Sequence, residues 1–317
     1  MTTMSRTSLV QFLLLGVIWG TSYTFIKAAL EGLSPTQLVL ARLGLGLVFL
    51  IAVLLLWSIG LPKMGKVWGH LAVASALGMV IPFLLLGYGE QRTSAAMAGM
   101  LIAVLPLATL AAVTLFLPSE KVSRRKLYGF LLGFAGVALI VAPWQGDPGE
   151  LTGQLAVIVA ACSYAAQTVY IRKFLVPHGL SPVAQAAGQV IMALLLQTIA
   201  LPAFGWSAPE FSWPVVVSVL LLGVFGTGAA YVLYFRLITD LGAATASSVN
   251  YLVPVVGAVA STTLLGDSLT WNMVAGVLTV MAGLAIAEGR LSKRKAPTAP
   301  APAPAQAPVE KAACTDG

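Results

Sequence analysis

The chain has 317 residues, of which 58% are hydrophobic and 9% are charged, and its mean hydropathy is +0.92. A water-soluble globule cannot bury that much apolar surface, so the composition predicts a protein that lies in the lipid bilayer. The formal net charge of +7 does not indicate a nucleic-acid partner, because most lysines and arginines lie in short breaks between apolar runs.

Ten segments of the sequence approach the length of about 20 mostly apolar residues that a membrane-spanning helix needs. They are Leu9–Leu30, Thr36–Trp57, Val67–Tyr88, Ser94–Leu117, Leu127–Trp144, Gly153–Leu175, Val183–Phe204, Trp213–Phe235, Ala243–Leu265 and Leu269–Ala287. The first segment continues past Lys27 and is followed by further spans, so we interpret it as an uncleaved helix and not as a signal peptide. The sequence predicts an all-α membrane protein with ten transmembrane helices.

The loop charges predict how these spans are oriented. With a cytoplasmic N-terminus, fifteen of the eighteen lysines and arginines fall in cytoplasmic segments, while Lys27 and Arg92 lie outside and Arg42 lies within the second span. We therefore expect a multi-pass protein of the cell inner membrane with both termini cytoplasmic. The Ala/Pro-rich residues 290–317 are predicted to be a disordered cytoplasmic tail.

A long stretch of the chain occurs twice. Val104–Val122, VLPLATLAAVTLFLPSEKV, returns in a looser form at Leu252–Thr270 as LVPVVGAVASTTLLGDSLT. The early prolines of the two stretches, Pro106 and Pro254, are 148 residues apart. A spacing of 147 residues relates further pairs, namely Glu120 and Asp267, Gly129 and Gly276, Gly136 and Gly283, and the Gly-Leu-Ser-Pro runs at 32–35 and 179–182. The sequence thus predicts two five-helix repeats, residues 9–144 and 151–289.

An odd number of spans in each repeat makes the second copy enter the membrane from the opposite side. This predicts inverted-topology repeats, which are a recurrent plan of secondary transporters with a substrate site near the midplane between the halves. A duplicated scaffold or sensor that transports nothing is the alternative. A closed, fully packed interface between the repeats would favour that alternative.

Several motifs together resemble the drug/metabolite transporter superfamily, specifically its ten-helix members with two EamA-type repeats. They are Gly16–Tyr23 (GVIWGTSY), Ala41-Arg42-Leu43, and the paired proline stretches with the glycines behind them. The resemblance implies export of small metabolites, such as amino acids or related organic solutes, by alternating access at a central cavity. Amphipathic drugs are the alternative cargo. The second repeat departs from the first, because Gln189 occupies the position equivalent to Arg42, and the Ser163-Tyr164 region occupies the position equivalent to Trp19-Gly20.

Polar and aromatic side chains at helical spacing are candidates for lining that cavity, because lipid disfavours polar groups. Packing between helices and hydrogen bonds to the local backbone are the alternative roles. Tyr88, with Glu90-Gln91, is a candidate for an outer mouth. The candidate substrate-binding residues are Trp19, Tyr23, Tyr88, Tyr164, Gln167, Tyr170, Thr227, Tyr231, Tyr234, Asn250 and Tyr251.

The charged residues receive structural predictions. We expect Arg42 to reach the outer interface or to pair with Glu31 or Glu90, because a guanidinium within a span is costly without a partner. Glu120 and Asp267 are expected to cap or pair at the ends of their helices. No acid lies convincingly at the middle of the bilayer, which favours facilitated diffusion, although an edge acid that carries a proton remains an alternative.

The sequence contains no convincing enzyme motif. Gly60–Lys66 matches part of a phosphate-binding loop, but Val67 replaces the required hydroxyl residue and no strand precedes it. His70 and His178 are isolated in the sequence, and HExxH, CxxC and a nucleophile elbow are missing. We therefore expect no enzyme activity, no cofactor and no metal; the predicted partners are a small-molecule substrate and the lipid bilayer.

Overall fold

The computed structural model describes residues 5–116, 124–144, 148–204, 207–241 and 248–288. Within these residues the fold is all-helical, with 85% helix and no strand. Its helices are α1 Arg6–Ala29, α2 Pro35–Leu56, α3 Lys66–Glu90, α4 Ala95–Phe116, α5 Arg124–Val141, α6 Pro148–His178, α7 Pro182–Ala203, α8 Trp213–Ile238, α9 Val253–Leu264 and α10 Trp271–Glu288. The predictions for Glu120 and for the tail at 290–317 lie outside the described residues.

The long helices make this a multi-pass membrane protein. Seven of them, α1–α4 and α6–α8, are long and apolar enough to cross a membrane by length and composition. The other three are shorter: α9 has 12 residues, and α5 and α10 have 18 each. They lie where the remaining predicted spans fall, but the count of ten membrane crossings stays a prediction.

The repeated Gly-Leu-Ser-Pro run begins the second helix of each repeat. Ser34 accepts a hydrogen bond from the Gln37 N–H, and Ser181 accepts one from the Ala184 N–H, so each serine caps its helix. In both copies the proline follows at the start of the helix, where its missing N–H costs nothing. The motif therefore recurs because the same helix start is built twice.

The two early prolines lie directly after breaks in the helical path. The backbone of α4 is interrupted at Ile102 and Ala103 before it resumes at Val104, two residues before Pro106. A short 3₁₀ turn, Ser248–Tyr251, likewise precedes α9, which carries Pro254 in its first turn. Proline cannot donate a backbone hydrogen bond to the preceding turn, so each helix restarts there.

Helices α5 and α10 form the most extensive contact between any two described elements. Gly129 lies against Gly283, and Gly136 lies against Gly276, so the two helices run antiparallel. A Cβ atom placed on Gly136 would stand only 2.8 Å from the Gly276 carbonyl oxygen. The glycines that repeat in the sequence thus allow two helix backbones to touch.

The other contacts between the repeats come in matched pairs. Helix α1 packs on α9, and its counterpart in the second repeat, α6, packs on α4. Helix α2 packs on α8, and its counterpart α7 packs on α3. Helices α3 and α6 run antiparallel, because Gly89 lies against Gly153 at one end while His70 bonds to Tyr170 at the other. The centre of the protein is therefore built by both halves.

Two helices contain a wide turn at equivalent positions of the repeats. Residues Ala76–Val80 of α3 and Leu221–Ala229 of α8 adopt π-helical geometry. Such turns change which backbone carbonyls are available and are frequent at functional sites. Both turns contain glycine, and the sequence analysis did not predict them.

Candidate functional site

A cavity of about 80 Å³ lies between the two repeats. Its lining comes from α1, α2, α3 and α4 of the first repeat and from α6, α8, α9 and the 3₁₀ turn of the second. Aromatic and aliphatic side chains dominate the wall, and its polar members include Arg42, Gln167, Thr168 and Asn250. Concave sites with a mostly apolar lining and a few polar groups are typical of small-molecule binding.

Seven of the eleven candidate residues from the sequence line this cavity. They are Trp19, Tyr23, Tyr164, Gln167, Tyr231, Tyr234 and Asn250. Tyr88, Tyr170, Thr227 and Tyr251 are not among the lining residues. Whether any of the eleven touches a substrate stays a prediction.

One wall of the cavity is aromatic. The ring of Trp19 lies 6.2 Å from that of Tyr231 and 5.1 Å from that of Tyr234, both in inclined arrangements. The Tyr231 hydroxyl donates a 3.0 Å hydrogen bond to the Gly78 carbonyl, within the wide turn of α3. Helices α1, α8 and α3 therefore hold a rigid aromatic surface that suits a flat or apolar ligand group.

Arg42 is part of the cavity wall and is only 5% exposed. Its Nε donates to the Thr227 hydroxyl over 2.8 Å, and its Nη2 donates to the Gly226 carbonyl over 3.3 Å. The guanidinium carbon lies 3.8 Å from the centre of the Phe83 ring. No carboxylate of the described residues lies within 4.0 Å of it, so the predicted ion pair with Glu31 or Glu90 is wrong.

Thr227, predicted as a cavity residue, does not line the cavity and instead accepts a hydrogen bond from Arg42. Its hydroxyl also donates to the Leu222 carbonyl, five residues earlier in the same wide turn. The sequence could not place Thr227 next to Arg42, since 185 residues separate them. The contact depends on the π-helical turn of α8, which brings that hydroxyl to face α2.

Gln167 both lines the cavity and fastens helices together. Its Nε2 donates to the Ala74 carbonyl over 3.1 Å and to Gln189 Oε1 over 3.0 Å. Both amide hydrogens are therefore used within the protein. Gln189 holds the position in the second repeat that Arg42 holds in the first, so the two repeats differ in charge at this position.

Tyr88 and Tyr170 lie in clusters of their own. Tyr88 is 40% exposed. The guanidinium carbon of Arg92 lies over its ring, 3.6 Å from the ring centre. The Tyr170 hydroxyl is hydrogen-bonded to His70 Nδ1 over 2.8 Å, and the His70 ring lies 5.9 Å from that of His178. The histidines that are isolated in sequence are therefore neighbours, although the described residues contain no group of three metal-ligating side chains.

Glu90 lies inside the protein and not at an open mouth. Its side chain is 0% exposed, and neither carboxyl oxygen has a hydrogen-bond partner among the described residues. The Lys27 ammonium beside it donates to the backbone carbonyls of Glu90 and Thr93 over 2.5 Å and 2.9 Å. Gln91 is exposed. Asp267 caps α4 by accepting a hydrogen bond from the Ala96 N–H over 3.0 Å.

Apolar helices surrounding a partly polar cavity are typical of membrane transport proteins, and comparisons with known proteins identify the family. The model of the EamA-like transporter family matches residues 6–142 and again residues 151–288. The chain belongs to this family, whose model matches it twice. The protein is accordingly a transporter of the drug/metabolite type and not an enzyme.

Relatives of similar length carry transporter names. The chain is 28% identical over 295 residues to a "Probable amino-acid metabolite efflux pump" of Salmonella typhimurium, covering 89% of this chain and 95% of the relative. It is 27% identical over 302 residues to the "Uncharacterized transporter YvbV" of Bacillus subtilis, covering 92% and 94%. A solved crystal structure matches with a TM-score of 0.66 at 19% identity, covering 92% of this chain and all of the other, which shows the fold alone.

Proposed function

We propose that the protein is a secondary transporter that exports small metabolites, amino acids or related organic solutes first, by alternating access. The observation that carries this proposal is the cavity between the repeats, whose lining combines an aromatic wall with a cation and amide groups. A purely structural scaffold would be expected to pack this interface with apolar side chains, because a buried polar group costs free energy unless it has a partner.

We further propose that the two repeats are inverted and that the chain crosses the cell inner membrane ten times with both termini cytoplasmic. The antiparallel contact of α5 with α10 supports the inversion, since these helices close equivalent repeats. The matched contacts between the halves support it as well. The orientation rests on the distribution of lysine and arginine between the loops.

Alternating access requires that contacts between the halves open on one side while they close on the other. The wide turns of α3 and α8, and the breaks before Pro106 and Pro254, are the places where these helices depart from regular geometry. Departures of this kind let a helix bend without loss of a whole turn of hydrogen bonds. We propose that the helices move at these positions.

The proposed substrate class and direction of transport are based on the Salmonella relative, whose name describes amino-acid metabolite efflux. The aromatic wall of Trp19, Tyr231 and Tyr234 also suits amphipathic drugs, so a multidrug efflux carrier of the same fold is the second candidate. The two candidates differ in how many chemically unrelated compounds a single cavity accepts.

Counterflow of labelled solutes into proteoliposomes tests the proposal. We expect saturable exchange of one class of amino acids or related solutes, and we expect Trp19→Ala to reduce it. Trp213→Ala is the matched control, because Trp213 is 79% exposed and lies outside the cavity. Exchange of many unrelated amphipathic drugs would favour the multidrug carrier, and absence of any exchange by folded protein would favour the scaffold. A parallel run with a pH gradient distinguishes facilitated diffusion from proton coupling.

A further inference from the structure

The charge of Arg42 is not neutralised by the groups that touch it. A guanidinium does not lose its proton in proteins, and a buried charge is costly unless a charge of opposite sign compensates it. Within the described ranges, the polar and ring contacts of Arg42 are a hydroxyl, a backbone carbonyl and an aromatic ring, all of them neutral. Glu90 lies beyond ion-pair distance from Arg42 and does not line the cavity.

Part of the guanidinium remains available to a bound molecule. Arginine offers five N–H groups, and the two hydrogen bonds of Arg42 use Nε and Nη2 on the side of α8. Nη1 has no hydrogen-bond partner in the part of the chain that the structure describes. Arg42 belongs to the cavity wall and keeps N–H groups that these two hydrogen bonds do not use.

Two tyrosine hydroxyls accompany Arg42 in the cavity. Tyr23 and Tyr164 both line it, on α1 and α6. Neither hydroxyl forms a hydrogen bond with another described residue. The third neighbouring tyrosine, Tyr231, differs because its hydroxyl is bound to the Gly78 carbonyl.

The described lining of the cavity carries a positive charge, because among the residues that the structure describes it contains Arg42 and no acidic side chain. A carboxylate has two oxygens that accept from a guanidinium and from hydroxyl groups at once, and such charge-assisted bonds are strong. A cationic amine gains nothing from this group of donors. A single fixed positive charge also matches the single negative charge of a carboxylate.

From these observations we infer that Arg42, with the hydroxyls of Tyr23 and Tyr164, is the anchor for a substrate carboxylate. The substrates are therefore organic acids or zwitterionic amino acids, whose apolar part packs against the aromatic wall of Trp19 and Tyr234. Thr227 is a positioning residue that acts through Arg42. This inference names the substrate class and rests on the transport function proposed above.

Binding to purified wild-type protein in detergent tests the inference without transport. The probes are the common amino acids and simple aromatic acids such as benzoate, each paired with its primary amide. The midpoint of thermal unfolding reports binding, because a ligand that binds the folded state raises it. We expect some carboxylates to raise the midpoint and their amides to fail at the same concentration. Equal effects of acids and amides, or no effect of any carboxylate, would overturn the inference.

Variants then assign the effect to Arg42. We expect Arg42→Gln to weaken carboxylate binding by about 10- to 100-fold, the value of a charge-assisted hydrogen bond. Arg42→Lys should retain part of the affinity, since it keeps the charge but loses the planar fork. The control is Arg236→Gln, because Arg236 lies on the surface in an ion pair with Asp240. Unchanged carboxylate affinity in folded Arg42→Gln would contradict the assignment.

A second pair of variants keeps the test informative if Arg42→Gln does not fold. Tyr23→Phe and Tyr164→Phe preserve the rings and remove only the hydroxyls that we assign to the carboxylate. We expect each to weaken binding of carboxylates, while the amides still leave the unfolding midpoint unchanged. Carboxylate affinity equal to wild type in both would overturn the anchor as proposed.

Counterflow with the same acid and amide pairs separates this inference from the proposed function. Exchange of carboxylates with little exchange of amides would support both. Exchange of amides or amines at the rate of the acids would leave a transporter and overturn the anchor. Binding of carboxylates without any exchange would support the anchor and contradict the transport function.

Discussion

Replacement of Gly136 by alanine tests the contact between α5 and α10. The added Cβ would lie 2.7 Å from the Val280 backbone nitrogen and 2.8 Å from the Gly276 carbonyl oxygen. Real Cβ atoms essentially never approach another atom within 3.0 Å, and ordinary contact begins at 3.4 Å. These two obstacles are backbone atoms, which cannot rotate away as a side chain can, so ordinary contact with the nearer one requires the helices to separate by about 0.7 Å (3.4 − 2.7 Å).

The energetic consequence follows from that separation. Overpacking of a well-packed contact costs typically 1–3 kcal/mol, and we expect about 3 kcal/mol because backbone opposes backbone. Alanine regains about 1 kcal/mol over glycine through its higher helix propensity. The free energy of unfolding of Gly136→Ala should therefore fall by about 2 kcal/mol, which changes the folded-to-unfolded ratio by more than tenfold.

The assay is reversible unfolding of the purified protein in mixed micelles, followed by tryptophan fluorescence. Gly44→Ala is the matched control, because a Cβ on Gly44 in α2 meets no atom within 4 Å. We expect this control to be as stable as wild type, or more stable by up to about 1 kcal/mol. If Gly136→Ala proved as stable as Gly44→Ala, the reasoning about close backbone contact would be refuted.

Three further substitutions test individual contacts. Gly78→Ala would place a methyl group 1.7 Å from Gln167 Nε2; we expect the displaced amide to reduce counterflow while membrane abundance is kept. Tyr170→Phe should lower the free energy of unfolding by about 1 kcal/mol through loss of its hydrogen bond, and KM should not change because the residue does not line the cavity. Lys27→Ala should lower the free energy of unfolding by about 2 kcal/mol, because the backbone carbonyls of Glu90 and Thr93 lose a charged donor.

Each of these substitutions has a control in the same chain. Gly69→Ala lies in the same helix as Gly78 but meets no atom within 4 Å, and its counterflow should equal wild type. Tyr128→Phe and Lys63→Ala alter exposed residues and should leave the unfolding midpoint unchanged. The reasoning would be contradicted by normal counterflow in Gly78→Ala, by a raised KM in Tyr170→Phe, or by equal midpoints for the two lysine variants.

Gln167→Ala is a less direct test of substrate contact than the sequence suggested. An amide near the centre of the membrane seemed free for a substrate, but its two N–H groups bind Ala74 and Gln189. Its removal leaves Gln189, which is 0% exposed, without this partner. We therefore expect Gln167→Ala to lower stability as well as transport.

Local chemistry and repetition made much of the fold predictable from the sequence. Ser34 and Ser181 cap helices because a serine before a proline does so wherever the following residues are helical. The spacing of Gly129, Gly136 and their counterparts predicted a duplicated unit, since small residues that recur at one offset serve the same packing twice. Helical spacing likewise placed Trp19 and Tyr23 on one face of α1, and both line the cavity.

The role of Arg42 could not be predicted in the same way. Its partners Thr227 and Gly226 belong to the other repeat, and they face Arg42 within a π-helical turn that leaves no clear periodic signal. The neighbouring rings of His70 and His178 are a second example, because α3 and α6 bring them together only through antiparallel packing. Contacts of this kind depend on tertiary geometry.

The glycine contacts of α5 and α10 have the form of an isologous dimer interface, in which residue i of one subunit meets residue j of the other and j meets i. Gly129 meets Gly283 while its repeat counterpart Gly276 meets Gly136. Two identical five-helix chains inserted in opposite senses could form the same junction, and every substitution would then act twice. Here both copies belong to one polypeptide, so each contact can change alone. Arg42 and Gln189 are such a divergence: a homodimer would carry two cations at its centre, and the fused chain carries one.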